Sequence, residues 1–259
     1  MLLAIDIGNT HTVFGVFDKR KLIADWRVSS AVNRTEDEVG TQVRAFLKDA
    51  GIKSKSVRGV AISSVVPNLT DIFVLMARKY FGAEPIVVSA NLNLGFKIYY
   101  EDPSTVGADR LCNAVAGYRK YGGPLIIIDF GTATTYDVVS KKGDYLGGII
   151  APGIETSAAD LHRRAAKLPK VELKFPKEVV GKDTVSSMQA GILYGAVDSM
   201  ERMIERVKRD IGKNAKVIVT GGYSKIILDH SDSIDFYEPT LVLNGLQLIH
   251  EKVTTTKRE

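Results

Sequence analysis

One pattern is written twice in this chain, and it narrows the folds open to it. Residues 2–16 read LLAIDIGNTHTVFGV and residues 125–139 read LIIIDFGTATTYDVV. Each copy is an apolar run that meets Asp-x-Gly, a polar turn and a second strand-like run. Asp6 aligns with Asp129, Gly8 with Gly131, Asn9 with Thr132 and Thr12 with Thr135, all at one offset of 123 positions. A short apolar run, a glycine turn and renewed alternation predict a buried strand and a hairpin. A single Asp-x-Gly marks many ordinary hairpins. Two in the same context, half a chain apart, predict two similar domains that each offer a hairpin to a nucleotide held between them.

The residue types at the turns say what such hairpins hold. A carboxylate at the end of a buried strand costs free energy unless something pairs with it, and a cation with a bound phosphate is the usual reason to place one there. Glycine lets the backbone approach a ligand closely, while threonine hydroxyls and the following N–H groups can donate to phosphate oxygens. Asn9, Thr10, His11 and Thr12 thus read as a phosphate cradle, with Asp6 holding Mg²⁺ directly or through water. His11 also reads as a turn residue without a chemical role, and Asp18 as a turn former. The chain has no G-x-x-x-x-G-K-[ST] loop, so phosphate binding must rest on the hairpins.

Bulk properties exclude several classes. The chain has 259 residues, 45% of them hydrophobic, enough for one large or two modest domains with their own cores. No run of 18 apolar residues predicts a membrane span. The start, MLLAIDIG, opens on a strand and lacks the basic region and cleavage pattern of a signal peptide. The one cysteine, Cys112, fits a reducing cytoplasm and reads as a buried small hydrophobe in a helix. The net charge of +5 is scattered along the chain without interleaved aromatics, so it reads as solvated faces, and nucleic acid is not the expected partner.

Taken in order, strands are expected over 2–8, 11–17 and 21–28, an antiparallel meander. A helix over 35–50 carries a Thr35-x-x-Glu38 capping box. A strand over 57–63, a helix over 67–81 with Pro67 in its first turn and a strand over 85–88 extend the sheet in parallel. Residues 91–103 are irregular and aromatic. Gly107-Ala108-Asp109-Arg110 then opens a helix, expected over 111–121. Aspartate at a helix start is a common cap. The adjacent pair also suits a substrate, since arginine pairs bidentately with a carboxylate and aspartate accepts a proton from an attacking alcohol. After the second hairpin, residues 145–153 continue the meander. Helices are expected over 154–166 and 184–211, where Thr184 reads locally as an N-cap and small residues suit close packing. A strand over 216–220 ends in Thr220-Gly221-Gly222, where the backbone can lie against adenine or ribose, and a last helix covers 243–253.

The motif order D-x-G-N-T at 6–10, G-x-D-R at 107–110, D-x-G-T-A-T-T at 129–135, G-G-x-I-x-P-G at 147–153 and T-G-G at 220–222 resembles type III pantothenate kinase, of the acetate kinase, sugar kinase, Hsp70 and actin superfamily. The resemblance covers essentially the whole chain. It implies an α/β fold of two similar ribonuclease H-like domains, taken here as 1–118 and 119–259, with mixed sheets flanked by helices and a nucleotide cleft between them. It implies ATP-dependent phosphorylation of pantothenate. Asp6, Ile7, Gly8, Asn9, Thr10, His11, Thr12 and Val13 would bind ATP, with Thr132, Gly221 and Gly222 from the second half. Asp109 matches the catalytic base. Tyr100, Gly107, Ala108, Asp109, Arg110 and Thr184 match positions that hold pantothenate. Asp129 matches a ligand for K⁺ or NH₄⁺, and Asp6 is associated with Mg²⁺. The family is a homodimer to which the long small-residue helix contributes, with Thr184 reaching the partner's substrate site. A kinase for another small hydroxyl or carboxylate compound and a transcriptional accessory protein on the same scaffold are the competing readings.

Overall fold

Both copies of the repeated pattern open a five-stranded mixed sheet, and the two sheets share one plan. In the computed structural model, which describes residues 1–256, the first sheet contains β1 (Leu2–Ile7), β2 (His11–Asp18), β3 (Lys21–Ser29), β4 (Gly59–Ser64) and β5 (Ile86–Val87). Its order is β3-β2-β1-β4-β5. Strand β1 pairs antiparallel with β2 and parallel with β4. The second sheet contains β6 (Leu125–Phe130), β7 (Ala133–Val139), β8 (Tyr145–Pro152), β9 (Lys216–Thr220) and β10 (Phe236–Tyr237), in the order β10-β9-β6-β7-β8. Strand β6 likewise pairs antiparallel with β7 and parallel with β9. Each central strand thus has a meander on one side and parallel crossover strands on the other, as the α/β expectation required.

Burial follows from the residues. Leu3, Ile5 and Ile7 of β1 and Ile126 and Ile128 of β6 are fully buried, as central strands covered by helices demand. On the first sheet, α1 (Glu36–Asp49) and α2 (Pro67–Phe81) bring Val39, Val43, Leu47, Leu69, Phe73 and Met76 into that core. Helix α1 starts on the predicted capping box: Thr35 accepts from the Glu38 N–H, and Glu38 accepts from the Thr35 N–H at 2.8 Å. Helix α2 starts on Pro67 and ends at Gly82, whose φ of +60° a side chain would resist. On the second sheet, α4 (Ile154–Arg164) and α5 (Thr184–Ile211) supply Ile154, Leu193, Met200 and Ile204.

The chain divides into two compact units. One is Met1–Arg119 together with the chain from Thr240; the other is Lys120–Pro239. This corrects the expected division at one end. The last helix, α7 (Leu241–Thr256), falls in the second domain on the sequence expectation and instead packs on β1, β4 and β2 of the first. Its buried Leu243, Leu246 and Ile249 need a sheet face, and adjacency in sequence does not say which. The approach is close at Gly245, where a Cβ would lie 2.2 Å from the Cys112 carbonyl oxygen of α3 (Ala108–Tyr121). The two-residue β10 has no counterpart in the sequence expectation, being too short for a periodic signal, and the helix that follows the Gly221-Gly222 pair is the five-residue α6 (Ser224–Leu228). Among the described residues no helix is long and apolar enough to cross a membrane.

Candidate active site

In the first unit, Asp6 stands at the next-to-last position of β1, in register with Val13 of β2 and Ser63 of β4. The Ser63 hydroxyl donates to Asp6 Oδ1 at 2.8 Å. Ser63 is fully buried, so its hydroxyl holds the carboxylate from inside the sheet. Ile7 and Thr12 are buried, Gly8 and Val13 partly so, and Asn9, Thr10 and His11 are exposed at the tip. The Gly8 N–H donates to the His11 carbonyl at 3.0 Å and closes the turn.

The Gly107-Ala108-Asp109-Arg110 segment forms the first turn of α3, which begins three residues earlier than expected. The Leu111 N–H donates to the Gly107 carbonyl. The Asp109 carboxylate folds back along the helix start: Oδ1 accepts from the Arg110 N–H at 2.8 Å, and a Cβ on Gly107 would come within 2.5 Å of it. Burial pushes the Asp109 carboxyl above its ordinary range; the Arg110 N–H and the Arg110 charge pull it back only in part. One turn on, Cys112 is fully buried. Burial first, then the negative charges of Asp6 and Asp109, push its thiol well up, against a hydrogen bond with Ser63. Cys112 is therefore a protonated interior group, as its reading as a small hydrophobe implied, and it marks a common neighbourhood for the two carboxylates.

In the second unit, Asp129 occupies the position on β6 that Asp6 occupies on β1, in register with Thr135 and Thr220. Gly221 has a φ of +94°, and a Cβ there would lie 2.3 Å from Asp129 Oδ1 and 2.6 Å from the Phe130 N and O atoms. Only glycine leaves the carboxylate that space. The hairpin tip is tied down from α4: the Thr132 carbonyl accepts from the Gly153 N–H at 3.2 Å and from Thr156 Oγ1 at 2.6 Å. Thr132 is exposed at the tip, as is Gly222 beyond β9. The Tyr223 N–H donates to the Phe130 carbonyl, which joins the Gly221-Gly222 turn to the hairpin.

Two further predicted substrate residues lie on other segments. Tyr100 is 37% exposed on the irregular segment before α3. Thr184 belongs to the second unit and is exposed on the rim of a cavity of about 520 Å³ that Gly181, Lys182 and Met188 also line. Thr184 is not the N-cap of α5. Asp183 is, accepting from the Ser186 N–H at 3.0 Å, and Thr184 is the first helical residue. A carboxylate one residue earlier is the stronger cap, so Thr184 is released from that duty. The sequence reading missed Ser63 and Ser30. The register between β1 and β4 is what reveals Ser63; an apolar run that ends in two serines was the only signal.

The candidate metal positions fit phosphate-borne cations better than cages. Among the described residues no group of three or more His, Cys, Asp or Glu side chains could hold a metal alone. Mg²⁺ is commonly held by one or two carboxylates with substrate phosphates, which a single Asp6 braced by Ser63 fits. Asp129 offers a carboxylate oxygen of the kind that hard cations take as a ligand.

Solved structures of similar fold define the class. A conserved protein of Campylobacter jejuni assigned to a Baf family of transcriptional activators superposes with a TM-score of 0.61 at 19% identity, over 98% of this chain and 99% of that one. The ethanolamine utilization protein EutJ of Carboxydothermus hydrogenoformans gives 0.56 at 16% identity, over 95% and 89%. A provisionally named N-acetylglucosamine kinase of Porphyromonas gingivalis gives 0.54 at 13% identity, over 98% and 100%. The fold is thus the two-domain α/β architecture found among sugar kinases. Residues 2–206 match the type III pantothenate kinase family, and this chain belongs to it. It is a kinase.

Proposed function

We propose that this kinase transfers the γ-phosphoryl group of ATP to the primary hydroxyl of pantothenate, giving 4′-phosphopantothenate, the first step of coenzyme A biosynthesis. The observation that carries the reading, beside family membership, is the pair of carboxylates Asp6 and Asp109 gathered around Ser63 and Cys112. Asp109 is the general base. The pantothenate hydroxyl oxygen attacks the γ-phosphorus, the bond to the β–γ bridging oxygen breaks, ADP leaves, and the hydroxyl proton passes to the Asp109 carboxylate. A carboxyl whose proton affinity burial has raised suits that role. Gly107, Ala108, Arg110 and Tyr100 hold the acceptor, with Arg110 facing its carboxylate, and Thr184 reaches the substrate site of the partner subunit. The first hairpin, from Asp6 to Val13, and Thr132 hold phosphates; Gly221 and Gly222 lie against the nucleoside. Asp6 would hold Mg²⁺, which neutralises charge on the β- and γ-phosphates when bound. Asp129 would hold K⁺ or NH₄⁺, a further positive charge near the phosphates. The protein is proposed to work in the cytoplasm as a homodimer.

The test is transfer from ATP to pantothenate by purified protein with Mg²⁺, comparing K⁺ or NH₄⁺ with Na⁺ and identifying the product by phosphorus NMR. Transfer that needs K⁺ or NH₄⁺ supports the reading and the role of Asp129. Transfer indifferent to the cation keeps the kinase and removes that role. No transfer by folded protein, with transfer to another small hydroxyl compound, reassigns the substrate. A regulatory reading draws on the likeness to the Campylobacter jejuni protein and the net charge of +5. Salt-sensitive duplex binding without ATP turnover would favour it.

A further inference from the structure

Ser30, which follows β3, holds the loop of the first hairpin from outside at several points. Its hydroxyl donates to the Gly8 carbonyl at 2.6 Å, and its N–H donates to the Thr10 carbonyl at 2.9 Å. Its oxygen also lies 2.9 Å from Thr12 Oγ1. A serine hydroxyl has one proton. With that proton on Gly8, Thr12 is the donor in the second contact. The Thr12 hydroxyl, 2% exposed, therefore spends its proton on Ser30 and not on a ligand. Three alternate residues of the turn, 8, 10 and 12, are tied to one point, while Asn9 and His11 remain exposed between them. The second hairpin is held differently, by Gly153 and Thr156 on the Thr132 carbonyl.

We propose that Ser30 is a positioning residue for the kinase reaction: by holding Gly8, Thr10 and Thr12 it presets the first hairpin loop in the shape that receives the triphosphate of ATP. The proposal rests on the reading that this loop is where ATP phosphates bind. A loop already ordered loses less conformational freedom on binding than one that must order around its ligand. Ser30 touches no substrate; it acts through the loop backbone and Thr12.

The experiment compares wild type with Ser30→Ala, Ser30→Thr, Thr12→Val and the Ser30→Ala/Thr12→Val double variant. Calorimetry with Mg²⁺-ATP gives affinity, steady-state kinetics give KM for ATP and for pantothenate separately, and circular dichroism confirms folding. Ser30→Ala should weaken ATP binding about tenfold, the effect of losing a pair of hydrogen bonds, and raise KM for ATP alike, with KM for pantothenate unchanged. Ser30→Thr should restore wild-type affinity. The double variant should be no worse than Ser30→Ala, because the two hydroxyls act as one unit. Wild-type ATP affinity in Ser30→Ala overturns the proposal alone, as does an equal loss for both substrates or full additivity in the double variant. If Ser30→Ala does not fold, ATP affinity in Thr12→Val decides: an unchanged value overturns the clamp and about a tenfold loss supports it. A folded wild type that binds no ATP overturns both the proposal and the reading beneath it.

Discussion

Replacing Asp109 with asparagine should remove catalysis and make the protein more stable, a combination that a merely structural aspartate would not produce. The carboxylate accepts from the Arg110 N–H at 2.8 Å, and an amide oxygen in the same place keeps an acceptor for it. Exchanging a charged for a neutral acceptor weakens such a bond by about 1 kcal/mol. Against that loss stands the cost of burying the charge. Because the carboxyl is raised above 3.8 in spite of the Arg110 N–H and charge, burial outweighs both together. The Asp109→Asn variant escapes that cost, so its stability at pH 7 should exceed that of wild type. The pH dependence follows in sign. The folded state of wild type binds the Asp109 proton more tightly than the unfolded state. That contribution is fully present below the unfolded value near 3.8 and is lost as the pH rises through the raised folded value. The variant should lack this loss. Turnover should fall by about 10²- to 10⁴-fold, the range of a general base, or about 3–5 kcal/mol of barrier. Urea melts at pH 7 and at lower pH, with single-turnover transfer at saturating ATP and pantothenate, measure both. Turnover within a few-fold of wild type would remove Asp109 as the base. A variant less stable than wild type at pH 7, with the same pH slope, would refute the burial argument.

Other substitutions separate the parts of the site. Ser63→Ala removes the buried donor to Asp6, and a hydrogen bond to a charged group is worth about 1.5–3 kcal/mol; the Mg²⁺ concentration for half-maximal turnover should rise, with KM for pantothenate unmoved. Gly221→Ala places a methyl 2.3 Å from Asp129 Oδ1 at a φ of +94°, so the turn must move; any activation by K⁺ should be lost, and unchanged K⁺ dependence would detach Asp129 from that role. Thr35→Ala deletes the α1 capping box and should cost about 1 kcal/mol in urea melts with turnover unchanged. Gly245→Ala drives a Cβ to 2.2 Å from the Cys112 carbonyl, and should lower the melting temperature and turnover together, because α7 and α3 must separate where Asp109 is seated.

Local signals carried far in this chain. The Asp-x-Gly hairpins, the Thr35 capping box and the Pro67 helix start were readable because each depends on residues only a few positions apart. The helix carrying Asp109 was readable too, though its first turn extends three residues further back than the apolar pattern marks. Thr184 does not cap its helix because Asp183 beside it competes for the same N–H groups, and the carboxylate wins. Ser63 gave only an apolar run that ends in two serines, and Ser30 gave no local signal. One reaches Asp6 through a pairing that spans 57 positions, the other reaches Gly8 across 22.

The duplication, the strand–turn–strand pattern and the placement of carboxylates at strand ends were determined by the sequence alone, since alternation and turn chemistry act over a handful of residues. Membership of an α/β kinase family followed from the order of those motifs. The tertiary structure alone decided which groups meet. It sent α7 back to the first sheet, because an apolar helix face is satisfied by any sheet that will bury it, and close approaches such as those of Gly245 to Cys112 and of Gly59 to His250 seat it there. It also brought Cys112 within reach of the charges of Asp6 and Asp109, and raised the Asp109 carboxyl by burial, a property of surroundings drawn from distant parts of the chain.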